Sequence, residues 1–276
     1  MRFTKSHGAG NDFVLFEDLD DTWTPTQAFV AAVCDRHKGV GADGIIRITR
    51  SSSADLFMDY WNADGEVAEM CGNGIRCLAR YVVDRGLHAS DTLTVDTRGG
   101  VKGLTMLADG RIRVDMGAPI LERDQIPLAG DGDPLHEKVE ALGYAFEAAC
   151  VSMGNPHCVL FLDEEVPFEQ LGPAIETLPV FPAKTNVEFT TVVSPEHVRV
   201  RVWERGVGET QACGTGACAT AVAAHLRGLT GRTVAVELPG GTLDIEWTDD
   251  TVLMTGPAVE VFDGQLTAEM TALLKG

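Results

Sequence analysis

The stretch CGNGIRCLARYVVDRG fills residues 71–86, and CGTGACATAVAAHLRG fills residues 213–228. Set on one another, Cys71 meets Cys213, Gly72 meets Gly214, Gly74 meets Gly216, Ala79 meets Ala221, and Arg85-Gly86 meets Arg227-Gly228. The correspondence runs outward. Trp61 and Trp203 share the same offset, each closing a strand-like run, DLFMDYW and HVRVRVW. LTVDTRGG and VAVELPGG follow with a shift of one residue, and RIRVDMGAP resembles TVLMTGPA. Near the start of each half, Gly10-Asn11 precedes FVLF and Gly154-Asn155 precedes HCVLF. A match this long is a duplication of a whole domain.

Within the first half, alternation, β-branched content and bracketing Gly or Asp predict strands at 13–16, 45–49, 55–61, 93–97, 104–107 and 111–116. Thr24-Pro25 introduces a helix predicted over 27–37. A second helix opens at CGNG, carries Ile75, Leu78, Ala79, Val82 and Val83 at helical spacing, and stops at Gly86. Its counterpart, 217–226, is apolar nearly all round and so must be buried on most faces. The pattern predicts an α/β (α+β) fold of two pseudo-symmetric domains. Each is a curved sheet wrapped around a central helix. The N-terminal domain is expected over 1–117 with a return at 258–276, and the C-terminal domain over 118–257. A short helix at 267–274 belongs to that return.

The length of 276 residues fits two domains at roughly 150 residues each. The formal net charge of −19 is spread along the chain, which argues against nucleic acid and anionic membrane as partners. No apolar run approaches the ~18 residues of a membrane helix, and the basic start lacks the apolar stretch of a secretory signal. A cytoplasmic protein is expected. Seven cysteines, with no CxxC pair, argue against both a disulfide framework and a structural zinc site.

Each CGxG cysteine sits just before a helix. A helix start offers unpaired N–H groups and partial positive charge, and it favours an anion. A cysteine there is expected to have a lowered pKa. The glycines allow close approach of a carboxylate to the backbone. If the halves face each other, two thiols flank one small anionic ligand. Such a pair suits stereoinversion: one thiolate removes an α-proton and the other thiol returns one on the opposite face, while amides stabilise the charge spreading into the carboxylate.

At these residues the sequence resembles the diaminopimelate epimerases. HGAGNDF (7–13), NADG (62–65), EMCGNGIRC (69–77), GNPH (154–157) and ERGVGETQACGTGACA (204–219) carry the likeness, which spans Phe3 to about Gly264. The resemblance implies a fold of two similar α/β domains, each a mixed β barrel-like sheet around a helix, and conversion of LL-2,6-diaminopimelate to the meso form without a cofactor, in lysine and peptidoglycan precursor synthesis. It implies Cys71 and Cys213 as the acid/base pair. Gly72, Asn73, Gly214 and Thr215 would hold the reacting carboxylate. Asn11, Asn62, Asn155, Asn186, Glu204 and Arg205 would hold the substrate, and His157 and Glu204 would tune the thiols. A homodimer contact is expected at Phe262, in VFDG. One position departs from the family pattern: Gly44, in VGADG, stands where many members carry Gln, which removes a side-chain contact.

Plainer readings compete. Cys34, Cys77, Cys150, Cys158 and Cys218 read as core residues, and Trp61 and Trp203 as packing residues. Taken singly, Asn11, Asn62 and Asn155 are turn residues, His157 is a satisfied structural histidine, and Arg205 with Glu204 is an exposed ion pair. The alternative functions are a racemase or dehydratase of proline-like acids on the same fold, and a thiol-disulfide switch using Cys71 and Cys213. Arg205 and the asparagines argue against the first, because a small ring acid needs no distant carboxylate clamp. The lack of CxxC weakens the second.

Overall fold

A computed structural model describes residues 1–275. The chain divides into two compact units: Met1–Val114 with Gly256–Gly276, and Asp115–Thr255. The first unit runs β1 (Arg2–Gly8), β2 (Asn11–Glu17), α1 (Gln27–Cys34), β3 (Gly44–Thr49), β4 (Leu56–Asn62), α2 (Gly72–Asp84), β5 (Thr92–Asp96), β6 (Lys102–Met106) and β7 (Ile112–Asp115). The second runs β8 (Glu137–Ala141), β9 (Tyr144–Ser152), β10 (Pro156–Phe161), α3 (Phe168–Glu176), β11 (Asn186–Ser194), β12 (His197–Glu204), β13 (Gly208–Thr210), α4 (Gly214–Leu226), β14 (Thr233–Leu238), β15 (Gly241–Trp247) and β16 (Val252–Gly256). β17 (Val259–Gln265) and α5 (Ala268–Ala272) complete the first unit.

The duplication reappears as topology. In the first unit β1 pairs antiparallel with β2, β2 parallel with β3, β3 antiparallel with β4, and β4 parallel with β5, before the β5–β6–β7 meander. In the second, β9, β10, β11, β12, β14, β15 and β16 repeat that order of senses. The outer partner of β1 is β17, and that of β9 is β8. Each parallel step is crossed by a helix, as parallel pairing requires.

The two helices of a unit take different places. In the first unit α1 packs Phe29, Val30 and Val33 against Phe3, Val14, Phe16 and Ile45. α2 lies against β1, β2, β3, β4 and β17. With a helix on each face, β2 is buried through Phe13–Phe16, which explains an unbroken apolar run where a one-sided strand would alternate. In the second unit α3 is the outer helix, with Phe168, Leu171 and Ile175 packed on Val187 and Phe189. α4 is buried from Gly216 through Ala224, as its apolar circumference requires.

Two local features depart from the sequence reading. α1 stops at Cys34 and not at residue 37, because Asp35 leaves the helical region and its carboxylate accepts the N–H groups of His37 and Lys38, which makes a turn. The strand β1, missed by pattern, joins β2 through Ala9-Gly10, both at positive φ, a tight hairpin turn of the type that matches strand twist. Among the described residues, no helix is long and apolar enough to cross a membrane.

Gly172 shows how tightly α3 seats. A methyl group there would stand 2.6 Å from the Trp203 ring. Gly172→Ala should therefore destabilise the protein by about 1–3 kcal/mol through overpacking, despite alanine's helix preference of ~1 kcal/mol. Gly103→Ala, where nothing lies within 4 Å, should leave the urea midpoint near the parent's. Equal midpoints for both variants would disprove the close seating of α3.

Candidate active site

The two CGxG segments have the same local geometry. Cys71 is the N-cap of α2 and Cys213 the N-cap of α4. Gly74 N donates to Cys71 Sγ at 3.4 Å, and Gly216 N donates to Cys213 Sγ at 3.4 Å. The glycines are required by space. A methyl group on Gly74 would lie 2.8 Å from Ile46 Cδ1, and one on Gly216 would lie 2.8 Å from Glu188 Oε1 and 3.3 Å from Cys213 Sγ.

Around Cys71 the neighbours are amides. The thiol donates to Asn11 Oδ1 at 3.5 Å, and Asn73 Nδ2 donates to the same oxygen at 3.2 Å. Asn11 is held from behind by Asp43, whose Oδ2 accepts from Asn11 Nδ2 at 2.6 Å. Asp43 and Asp12 are in turn clamped by Arg36. Asn73 is held by Arg76, a fully buried arginine that donates to Asn73 Oδ1, Gly72 O and Pro257 O. Asn62 closes β4 and pairs in register with Gly44. Gly44 itself has no room for a side chain: a methyl group would lie 2.5 Å from Trp61 O and 2.7 Å from Tyr60 Cε2. The departure from Gln is therefore a packing requirement of β3 against β4.

Around Cys213 the neighbours are titratable. Thr215 Oγ1 lies 3.5 Å from Cys213 Sγ, and Asn155 Nδ2 donates to Thr215 Oγ1 at 3.3 Å. Asn155 Oδ1 lies 3.0 Å from His157 Nε2, and His157 Nδ1 lies 2.6 Å from Glu188 Oε1. Glu204, at the end of β12, accepts from Thr210 Oγ1. Asn186 is buried and fully engaged: its Nδ2 donates to Pro156 O at 2.8 Å, and its Oδ1 accepts Arg205 N at 2.9 Å. It thus ties the start of β10 to the turn that carries Arg205, an exposed residue whose guanidinium donates to Ala183 O.

The expectation of a lowered thiol pKa is reversed at Cys213. Burial pushes that thiol well above its ordinary value, and the charges of Glu204 and Glu188 push it further, against the smaller opposing effects of Thr215 and the Gly216 amide. Burial also raises Glu204 and Glu188. The helix start alone does not decide the protonation of a thiol enclosed beside two carboxylates. Glu188 was missed from the sequence. The signal was available, since the offset that aligns Cys71 with Cys213 sets Glu188 opposite Ile46.

Cys34 and Cys77 are buried and pushed up to about 12, and Cys158 is also raised, as inert core thiols should be. Trp203 Nε1 donates to Glu176, and Trp61 Nε1 to Asp59, so both indoles are anchored packing groups.

Because the folded-state pKa of Glu204 lies above its ordinary 4.5, its charge opposes folding at neutral pH. That opposition is absent below the unfolded pKa and grows as pH rises through the folded one. Glu204→Gln should raise the melting temperature at about pH 8, and the gain should shrink as pH falls toward 4.5. A gain independent of pH would rule out the charge as its cause.

The model of the family described as diaminopimelate epimerase matches residues 3–122 and 149–261. A diaminopimelate epimerase of Pelotomaculum thermopropionicum is 50% identical over 275 residues, covering 96% of this chain and 98% of the relative. One of Moorella thermoacetica is 52% identical over 274 residues, with the same coverage. Among solved structures, a probable proline racemase from Agrobacterium radiobacter superposes with a TM-score of 0.72 at 14% identity, covering 97% of this chain and 93% of that one. That last likeness speaks to the fold.

Proposed function

The chain belongs to the diaminopimelate epimerase family, and from that premise we propose that it interconverts LL- and meso-2,6-diaminopimelate, in lysine biosynthesis, by proton transfer through two thiols. It is an isomerase acting on a small molecule. The observation that carries the two-thiol reading is the repeated cap: a cysteine Sγ at each of two helix starts, each accepting a first-turn amide at 3.4 Å.

In this reading Cys71 and Cys213 act on opposite faces of one α-carbon. One Sγ, as thiolate, takes the α-proton. The electron pair left on carbon spreads into the α-carboxylate, which the N–H groups of the first turns stabilise, with Gly72, Asn73, Gly214 and Thr215 as the contacting residues. The other Sγ, as thiol, gives its proton to the opposite face. Burial and the carboxyl groups of Glu204 and Glu188 favour the protonated thiol at Cys213, which suits that residue to the donor's part. Asn11, Asn62, Asn155, Glu204 and Arg205 hold the substrate. Asn186 contributes by fixing the turn that carries Arg205. Arg205 offers a planar fork for the distant carboxylate.

A coupled assay with LL-diaminopimelate tests this reading. Cys71→Ser and Cys213→Ser should each lose on the order of 100-fold or more in rate. In deuterated water the product should gain deuterium at the inverted carbon earlier than the remaining substrate does, because the donor thiol exchanges with solvent. Lysine, which lacks the second carboxylate, should turn over poorly. Near-parent rates in either serine variant, or equal early labelling of both pools, would sink the two-thiol mechanism. A cytoplasmic location belongs to the same proposal and is open to cell fractionation.

The dimer proposal rests on β17, where Val259, Val261 and Phe262 are exposed together and Phe262 packs edge-on against Phe3 at 6.0 Å. In sedimentation velocity the parent should run as a dimer and Phe262→Glu as a monomer. A monomeric parent would end this part of the proposal.

A further inference from the structure

The first turns of α2 and α4 rest on equivalent positions of equivalent strands, yet the residues there differ in kind. Under Gly74 lies Ile46, and under Gly216 lies Glu188. Ile46 is part of the apolar core of its unit, as a position covered on both faces of a sheet should be. Glu188 is just as completely buried, in the middle of the buried run Asn186–Thr190. A carboxyl group in such a place needs a partner. One oxygen has one, since Oε1 lies 2.6 Å from His157 Nδ1, with both side chains wholly enclosed. The other oxygen, Oε2, is buried with no hydrogen-bond partner.

The imidazole continues the connection. His157 Nε2 meets Asn155 Oδ1 at 3.0 Å, Asn155 Nδ2 donates to Thr215 Oγ1 at 3.3 Å, and Thr215 Oγ1 lies 3.5 Å from Cys213 Sγ. The carboxyl group thus anchors the far end of a chain that finishes on the reacting sulfur. Its Oε1 also lies beside the same glycine that donates to that sulfur. A histidine that needed only a neutral acceptor could be satisfied by an uncharged amide or a backbone carbonyl. Where one copy of the repeat keeps isoleucine, the second copy keeps an ionisable group.

We propose that Glu188 is a positioning residue of this site: it fixes the His157 ring through Nδ1 and holds the charge that faces the Cys213 helix start. The inference rests on the epimerase reading for its kinetic consequence and on the geometry of the second unit for the rest. With Nδ1 donating to the Glu188 carboxylate and Nε2 donating to Asn155 Oδ1, the ring is locked in one orientation, and Asn155 and Thr215 are locked with it. The groups that face Cys213 or this pair are Glu204 from β12, Glu188 from β11, His157 and Cys158 from β10, and Thr215 from α4. Burial, the Glu204 charge and the Glu188 charge all push the Cys213 thiol up.

Glu188→Gln keeps the shape and an acceptor for Nδ1 but removes the charge. In that variant kcat should fall about 10-fold or more, with KM changed by less than about 3-fold. Alkylation of Cys213 by iodoacetamide, followed by peptide mass analysis across pH, should shift to lower pH. A folded variant with the parent's kcat and the parent's alkylation profile would overturn the proposal. Should the variant not fold, nitrogen NMR of histidine-labelled parent decides: His157, assigned by signal loss in His157→Asn, should carry a proton on Nδ1. An Nδ1 without a proton overturns the proposal. A parent inactive on LL-diaminopimelate would refute the epimerase reading, while the alkylation and NMR results would still decide the place of Glu188.

Discussion

Everything in this protein is arranged around a sulfur that caps a helix. Helix starts are usually capped by the oxygen of Ser, Thr, Asn or Asp, which are good acceptors for the free amides of the first turn. Here the position is filled twice by cysteine, at Cys71 and Cys213, each with a first-turn glycine amide directed at Sγ. Sulfur is a weak acceptor, so the cap sacrifices some helix stability. The loss is offset by burial, since α2 and α4 are covered by the strands of their own units. The glycines follow from the same constraint, because the space over the first turn is already taken by Ile46 in one unit and Glu188 in the other. A sulfur that is also part of the backbone's hydrogen bonding cannot wander, and its position is fixed to within the tolerance of a helix start.

The two copies of this device are alike in backbone and unlike in charge. Cys71 is surrounded by asparagine amides, themselves braced by Asp43 and by the buried Arg76. Cys213 is enclosed with Glu188, Glu204 and His157. Duplication supplies two equal frames, and divergence at a few inward positions encloses one thiol with carboxyl groups that raise its pKa. The asymmetry costs stability, because carboxyl groups whose pKa is raised by burial oppose folding at neutral pH.

The frame was legible in the sequence because whole segments repeat and because glycine and cysteine are rare enough at such spacing to stand out. The order of strand senses in each unit was not read from the sequence and comes from the packed sheet. Three things were less legible. The end of α1 depends on Asp35 turning its carboxylate onto the next two amides, a competition between side chain and helix that periodicity does not register. The direction of the Cys213 shift depends on groups brought in from β11 and β12, far along the chain, whereas the helix-start argument uses only neighbours in sequence. Glu188 belongs to none of the motifs that carry the family likeness. Its burial comes from covering on both faces, which only the packed sheet reveals. Gly44 is the converse case: a missing side chain that suggested a lost contact is a place where β4 leaves no room for one.

The pairing of β1 with β17 has a consequence for how the molecule is made. The segment from Asp115 to Thr255 is one continuous piece of chain whose sheet needs no strand from beyond β16. The earlier unit does need one. Its first strand, Arg2–Gly8, has an open edge until Val259–Gln265 has been synthesised and threaded alongside it. The part of the chain made first is therefore finished last, and for most of translation it is a partly built sheet with an unpaired border.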